Sequence, residues 1–102
     1  MIKHISVANK VATYSLRDGP IVCGNSGYKI KFTFDDEWAN HNEKTACFIW
    51  NNQRVEVDFT GDECRVPVLS NTTLCEIGVY AGDLLATTTV KVECKRSIRC
   101  AT

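Results

Sequence analysis

The sequence predicts an all-β domain. Short runs alternate between apolar and polar residues, which is the pattern of half-buried strands. Gly, Asn and Asp turns separate these runs about every ten residues, a spacing typical of sandwiches and small barrels. We see no long segment with helical periodicity. We therefore predict one antiparallel β-sandwich of about eight short strands, immunoglobulin-like in the loose sense, over residues 1–102.

The most strongly patterned stretch, residues 28–38, predicts the central strand of this domain. Lysine and threonine alternate there with four apolar residues, three of them aromatic. Such a run buries one face and exposes the other. Trp38 follows a short acidic segment, and a large ring just past a strand end is typical of a plug on the end of a core. The predicted core residues are Tyr28, Ile30, Phe32, Phe34, Trp38 and, from a later strand, Phe48.

The residues before this strand predict a hairpin and a short strand. Residues 2–7 and 11–17 alternate in the manner of strands, and residues 8–10 can form the turn between them. Residues 18–20 read Asp-Gly-Pro, a strong turn signal because Gly tolerates positive φ and Pro fixes its own φ. Residues 21–23 then form a short apolar strand before a glycine-rich loop.

The residues after the central strand predict a second hairpin. Residues 45–50 are densely apolar, and residues 53–59 alternate between valine or phenylalanine and charged side chains. Asn51 and Asn52 lie between them, and Asn accepts the left-handed backbone region better than most residues do. We therefore expect these two segments to pair through a tight turn.

The last third of the chain predicts the strands that close the fold. The alternation continues to Pro67, which favours an edge or a strand end. Residues 74–80 predict a further strand, and residues 81–83 predict the turn that ends it. Residues 84–94 are rich in Thr and Val and predict one or two more strands.

The charge balance excludes some partner classes. Lys and Arg number twelve, as do Asp and Glu, so the formal net charge is zero. Long-range attraction to nucleic acid or to an acidic membrane is therefore not expected. The sequence has no apolar run long enough for a membrane-spanning helix and no apolar signal region after Met1. A surface of zero net charge resists association poorly, which suits a protein that assembles.

The six cysteines are predicted to be reduced and mostly buried. Since the sequence shows no apolar signal for export, we expect the chain to stay in a reducing compartment, where disulfides are rare. No Cys-x-x-Cys spacing supports a zinc site. The predicted exceptions are Cys94 and Cys100, whose pairing within or between chains the sequence leaves open.

The polar residues predict neither a catalytic site, nor a metal site, nor a cofactor. His4 and His41 lie among polar residues, and no local signature of a cysteine protease accompanies them, although a small hydrolase with a Cys/His pair stays a third alternative. The acidic cluster at residues 35–37 is interpreted as a solvated strand end, since no calcium-loop spacing is present. The loop at residues 24–27 lacks the phosphate-binding motif and its following helix. We expect a protein that is not an enzyme.

Two aromatic residues stand beside turns, where partial exposure allows contact with a partner. Trp50 precedes an Asn pair, which on paper is also the composition of a sugar-binding platform. The predicted partner-binding residues are Trp50, Asn51, Asn52, Tyr80 and Asp83.

Several segments taken together resemble a known module. These segments are residues 21–26, 32–38, 44–50, 66–68 and 78–84. As a set, they resemble the N-terminal module of phage and prophage tail, baseplate-upper or minor structural proteins of Firmicutes, and the resemblance covers nearly the whole chain. In that family the module is followed by further domains, whereas this sequence stops at Thr102.

The resemblance implies a structural or adaptor role in a phage tail or baseplate, within the virion. The implied partners are other virion proteins and a second copy of the chain. It implies no catalytic residues. The alternative is a receptor- or glycan-binding sandwich at the tail tip, whose partner is a host surface glycan.

Overall fold

The computed structural model describes residues 1–98, and these residues form ten strands and two 3-10 turns. The first turn is Leu16–Asp18 and the second is Asp36–Trp38. The strands are β1 (Ile2–Ala8), β2 (Val11–Tyr14), β3 (Ile21–Val22), β4 (Lys29–Phe34), β5 (Glu43–Trp50), β6 (Gln53–Thr60), β7 (Glu63–Arg65), β8 (Leu74–Ala81), β9 (Leu85–Ala86) and β10 (Val90–Lys95). The all-β prediction is confirmed.

The strands form two sheets that enclose one core. The first sheet has the order β2-β1-β4-β7, and the second has the order β3-β10-β8-β5-β6, with β9 alongside β8. This sandwich-like arrangement agrees with the predicted fold class, and an immunoglobulin-like topology stays a prediction. The expectation of purely antiparallel pairing is wrong for two pairs, because β1 runs parallel to β4 and β3 runs parallel to β10. Both pairs join strands that are distant in the chain, so a crossover replaces the hairpin turn that antiparallel neighbours use.

The inward faces predicted for β4 and β5 form part of the core. Strand β4 lies between β1 and β7, as expected of an interior strand. The side chains of Tyr28, Ile30, Phe32, Trp38 and Phe48 are buried, which confirms them as core residues, and Phe34 is partly buried against the same core.

Four aromatic rings and one lysine close the end of the sandwich where the two sheets meet. Phe32 stacks on Phe34 at 5.3 Å and on Phe59 of the facing sheet at 5.4 Å between ring centroids, and Trp38 lies 4.9 Å from Phe34. The Lys44 ammonium is 4.8 Å from the centroid of the Phe34 ring. It also donates to the carbonyl oxygens of Asn42 and Gly61, so a cation is held in a buried position by carbonyls and ring faces.

The outer edge of β2 is covered by the segment that joins β9 to β10. The Thr88 backbone N–H donates to the Lys10 carbonyl at 2.9 Å, and the Ala12 N–H donates to the Thr88 hydroxyl at 3.1 Å. These two hydrogen bonds also tie the first sheet to the second. The remaining short edge strands, β3 and β7, are only two and three residues long.

The five cysteines within the described residues are buried, as predicted, and each has a free thiol: Cys23, Cys47, Cys64, Cys75 and Cys94. Burial raises the pKa of Cys64, Cys75 and Cys94 to about 12. The predicted exceptions were Cys94 and Cys100, with their pairing within or between chains left open, and Cys100 lies outside the described residues. Cys94 itself is 3% exposed.

We expect iodoacetamide at about pH 8 to leave these five thiols unmodified in the folded protein, because the reagent does not reach a buried sulfur. For Cys47, Cys64, Cys75 and Cys94 the raised pKa also lowers the fraction of reactive thiolate. After unfolding in guanidinium, all five are expected to react. Peptide mass spectrometry assigns each modification to its residue. Alkylation of any of the five at the same rate in the folded and unfolded protein contradicts this prediction.

Candidate functional site

Trp50, the strongest of the predicted partner anchors, belongs to the core. It is 5% exposed, and its indole N–H donates to the Ser70 hydroxyl at 2.9 Å. The expectation of a partly exposed ring is therefore wrong. The physical reason is the alternation of β5, in which Trp50 shares the inward face with Phe48 and Ala46. Its polar atom is satisfied at the rim of the core, so it does not require solvent.

Asn51 and Asn52 form the predicted turn of the second hairpin. Their φ angles are 49° and 61°, so both residues adopt the left-handed conformation of a type I′ turn. Both side chains are exposed, and the Asn51 amide reaches across to the Asn71 carbonyl. The turn sets the register of β5 and β6, in which Trp50 lies opposite Gln53 and Glu43 opposite Thr60.

This register determines which backbone groups of β6 face outward. In a two-residue hairpin the residues that flank the turn form a hydrogen-bonded pair, and such pairs recur at every second residue. The Gly61 N–H donates to the Asn42 carbonyl at 3.1 Å, which continues that alternation past the strand end. Four residues therefore direct their N–H and C=O groups away from β5, namely Arg54, Glu56, Asp58 and Thr60.

These outward groups make β6 an unpaired edge. Within residues 1–98, β6 pairs only with β5, and it is the last strand of the second sheet. It is eight residues long and contains no proline. A long edge without proline presents donors and acceptors that can pair with another strand. We call Gln53–Thr60 with its outward backbone groups the β6 edge.

The side chains of the β6 edge form a charged network on the outer face of the second sheet. The Arg54 guanidinium is 3.0 Å from the Glu56 carboxylate and 3.2 Å from the Cys47 sulfur. The Tyr80 hydroxyl donates to the other carboxylate oxygen of Glu56 at 3.2 Å. Burial raises the pKa of the Cys47 thiol, while the charge of Arg54 acts in the opposite direction. The network holds Arg54 and Glu56 in place, with side chains that are 56% and 43% exposed.

The predicted residue Tyr80 lines a groove beside the β6 edge. The groove has a volume of about 640 Å³, and its walls include Lys44, Thr45, Asp58 and Phe59. The Thr45 hydroxyl donates to the Asp58 carboxylate at 2.7 Å. The pairing of β5 with β6 on one side and β8 on the other brings these residues together, since Thr45 lies opposite both Asp58 and Tyr80. We call this depression the Tyr80 groove.

Asp83, the last of the predicted partner-binding residues, is exposed in the turn after β8. The structure thus places Tyr80 next to the β6 edge and Asn52 at its beginning, whereas Trp50 lies inside the core. Arg54, Glu56 and Asp58 were not among the predicted partner-binding residues. Their signal is present in the alternation of residues 53–59, but strand alternation does not distinguish an edge strand from an interior one.

The described residues do not bring a histidine and a cysteine together in any hydrogen bond. His4 instead pairs with Asp18, with 3.0 Å between its ring nitrogen and the carboxylate. Partial burial raises the pKa of Asp18, but the hydrogen bonds from the His4 ring and backbone outweigh this effect and lower it.

The acidic segment predicted at residues 35–37 has a structural role, because the Asp35 carboxylate accepts the Asn9 N–H at 2.9 Å.

In the part of the chain that the structure describes, no cluster of three or more His, Cys, Asp or Glu side chains is arranged to hold a metal ion. Nor do these residues form a helix of the length and apolar character that crossing a membrane requires. Comparison with protein-family models, with curated proteins and with solved structures gave no match.

Proposed function

We propose that this protein is an assembly module of a phage tail or baseplate, and that it acts by strand addition at the β6 edge. The observation that supports this mechanism is the edge itself, with four residues that direct their backbone groups away from the sheet. An added strand pairs with these groups, and the exposed side chains of the edge select the strand. The partners are other virion proteins and the chain itself.

The virion setting has a separate basis, which is the resemblance of the sequence to phage tail and baseplate modules. Assembly into a virion also suits a zero net charge, because no long-range repulsion opposes close packing of copies. The proposal requires no catalytic group.

The alternative is a glycan-binding module at the tail tip. Burial of Trp50 removes the sugar platform that the sequence suggested, which weighs in favour of assembly. The Tyr80 groove is the surface that this alternative would use, since it combines a half-buried ring with the Asp58 carboxylate and the Thr45 hydroxyl.

Site-specific photocrosslinking in producing cells tests the assembly proposal. We expect a photoreactive phenylalanine analogue at position 58, which leaves Arg54 and Glu56 in place, to crosslink to a structural protein that copurifies with phage particles, or to a second copy of the chain. The matched control carries the analogue at position 16, where Leu16 is 90% exposed on another part of the molecule. No crosslink from position 58, or equal crosslinking from both positions, contradicts the proposed mechanism. Absence of the protein from purified particles contradicts the virion role.

A further inference from the structure

The order of charges along the β6 edge indicates which strand it binds. The outward residues read Arg54, Glu56, Asp58 and Thr60 from the turn onward. Their side chains lie on one face of the sheet, and Arg54 and Glu56 already contact each other there. Arg54 is basic, and the next outward residue, Glu56, is acidic. A second copy of the edge that runs antiparallel to the first can therefore place opposite charges across from each other.

We propose that the β6 edge pairs antiparallel with the β6 edge of a second copy of this chain, across a two-fold axis at Val55. This inference rests on the proposed function and names its partner. A two-fold contact uses the same surface patch on both subunits, so that each contact occurs twice. The pairing joins the second sheets of the two copies into one continuous sheet.

Charge distinguishes this register from its neighbours. In β6 the even-numbered residues carry the outward backbone groups. These groups hydrogen-bond across the axis only in registers that place an even-numbered residue of one copy opposite an even-numbered residue of the other. With Val55 on the axis, Arg54 lies opposite Glu56 of the second copy, and this contact occurs twice. With Glu56 on the axis, Arg54 lies opposite Asp58 twice, but the two Glu56 carboxylates then lie directly opposite each other on the axis. With Val57 on the axis, Glu56 lies opposite Asp58 twice. Like charges directly opposite destabilise a strand pair, whereas opposite charges stabilise it.

The chosen register also accounts for other residues at the edge. Each Arg54 retains its own Glu56 at 3.0 Å and gains the Glu56 of the second copy, so the four side chains alternate in sign around the axis. Asp58 lies opposite Asn52 of the second copy, which places the predicted contact residue Asn52 in the interface. Val55, which is partly buried against the core, lies opposite its own symmetry mate.

A charge exchange tests both the partner and the register. We expect the wild-type protein to form a dimer in sedimentation equilibrium, in the presence of reductant so that no disulfide contributes. Arg54→Glu and Glu56→Arg are each expected to weaken this dimer by about tenfold or more, because like charges replace both symmetric pairs. A one-to-one mixture of the two variants is expected to form a heterodimer of nearly wild-type affinity, since the acidic pair of one chain then lies opposite the basic pair of the other.

Two controls accompany this measurement. Arg17→Glu makes the same change in net charge on an exposed residue outside β6 and is expected to leave dimerisation unchanged. Glu56→Pro removes one outward N–H that does not bond to β5, and is expected to abolish the dimer while the chain stays folded. Circular dichroism and thermal unfolding show whether each variant is folded.

Each result has one consequence. A dimer that both charge variants leave intact, or a mixture that does not associate, overturns the proposed pairing. A wild-type chain that stays monomeric at all concentrations overturns the second copy as partner. In that case the crosslink from position 58 to another virion protein still supports the assembly function, so the two proposals fail separately.

Discussion

Replacing Trp50 by alanine is expected to lower the free energy of unfolding by about 3–5 kcal/mol. The side chain is 5% exposed, and its removal leaves a cavity between the two sheets as well as a Ser70 hydroxyl without its indole donor. An exposed aromatic at a binding surface makes no such contribution to the stability of the free protein. Urea unfolding monitored by circular dichroism measures the difference.

The matched control for Trp50→Ala is Leu16→Ala, because Leu16 is a large apolar residue that is 90% exposed. Its replacement is expected to change stability by no more than about 0.5 kcal/mol. If the two variants have the same stability, Trp50 is not a core residue, and its original interpretation as an exposed partner anchor returns.

Replacing Phe32 by alanine is expected to lower the free energy of unfolding by about 3–5 kcal/mol. Phe32 is 2% exposed and lies between Phe34 on its own strand and Phe59 on β6 of the facing sheet. The variant therefore loses buried area and two ring contacts at once, one of which joins the sheets. Guanidinium unfolding of the purified variant gives the free energy directly.

Thr33→Ala serves as the comparison for Phe32→Ala, because Thr33 follows on the same strand but is exposed on the opposite face. We expect this replacement to cost less than about 0.5 kcal/mol. A large loss from Thr33→Ala with a small loss from Phe32→Ala indicates that β4 has the reverse orientation, since a shift by one residue exchanges the two faces of a strand.

Strand positions and turns are readable from this sequence because they depend on neighbouring residues. The alternation around Phe32 fixes which side chains of β4 are buried. The two asparagines after Trp50 fix the second hairpin, since each tolerates a positive φ. These features need no knowledge of what lies across the core.

The parallel pairs and the edge position of β6 depend on the order of strands in space. Whether β4 lies beside β1 or beside β3 is decided by packing between residues far apart in the chain, and alternation is the same in either case. The sequence therefore predicts which side chains of β6 lie on each face of the strand. It does not predict that β6 is an edge strand whose backbone N–H and C=O groups point away from the sheet.

The expectation that Trp50 is partly exposed was wrong for a different physical reason. The alternation of β5 assigns Trp50 to the buried face, together with Ala46 and Phe48. Its position next to a turn suggested exposure, but a side chain at a strand end stays buried when a loop covers it. The loop that carries Ser70 does so here through the hydrogen bond to the indole, and that loop is twenty residues away in sequence.

The two hydrogen bonds from Thr88 to Lys10, just before β2, and to Ala12 within β2 limit how large an assembly can grow. An open-ended fibre of strands needs two free edges on every subunit, one to accept a neighbour and one to offer the next position. Thr88 occupies the outward groups of Lys10 and Ala12, and β3 and β7 are too short to extend a sheet far. If β6 pairs with a second copy as proposed, residues 1–98 leave no other long free edge for a further strand, and we expect growth to stop at a closed dimer.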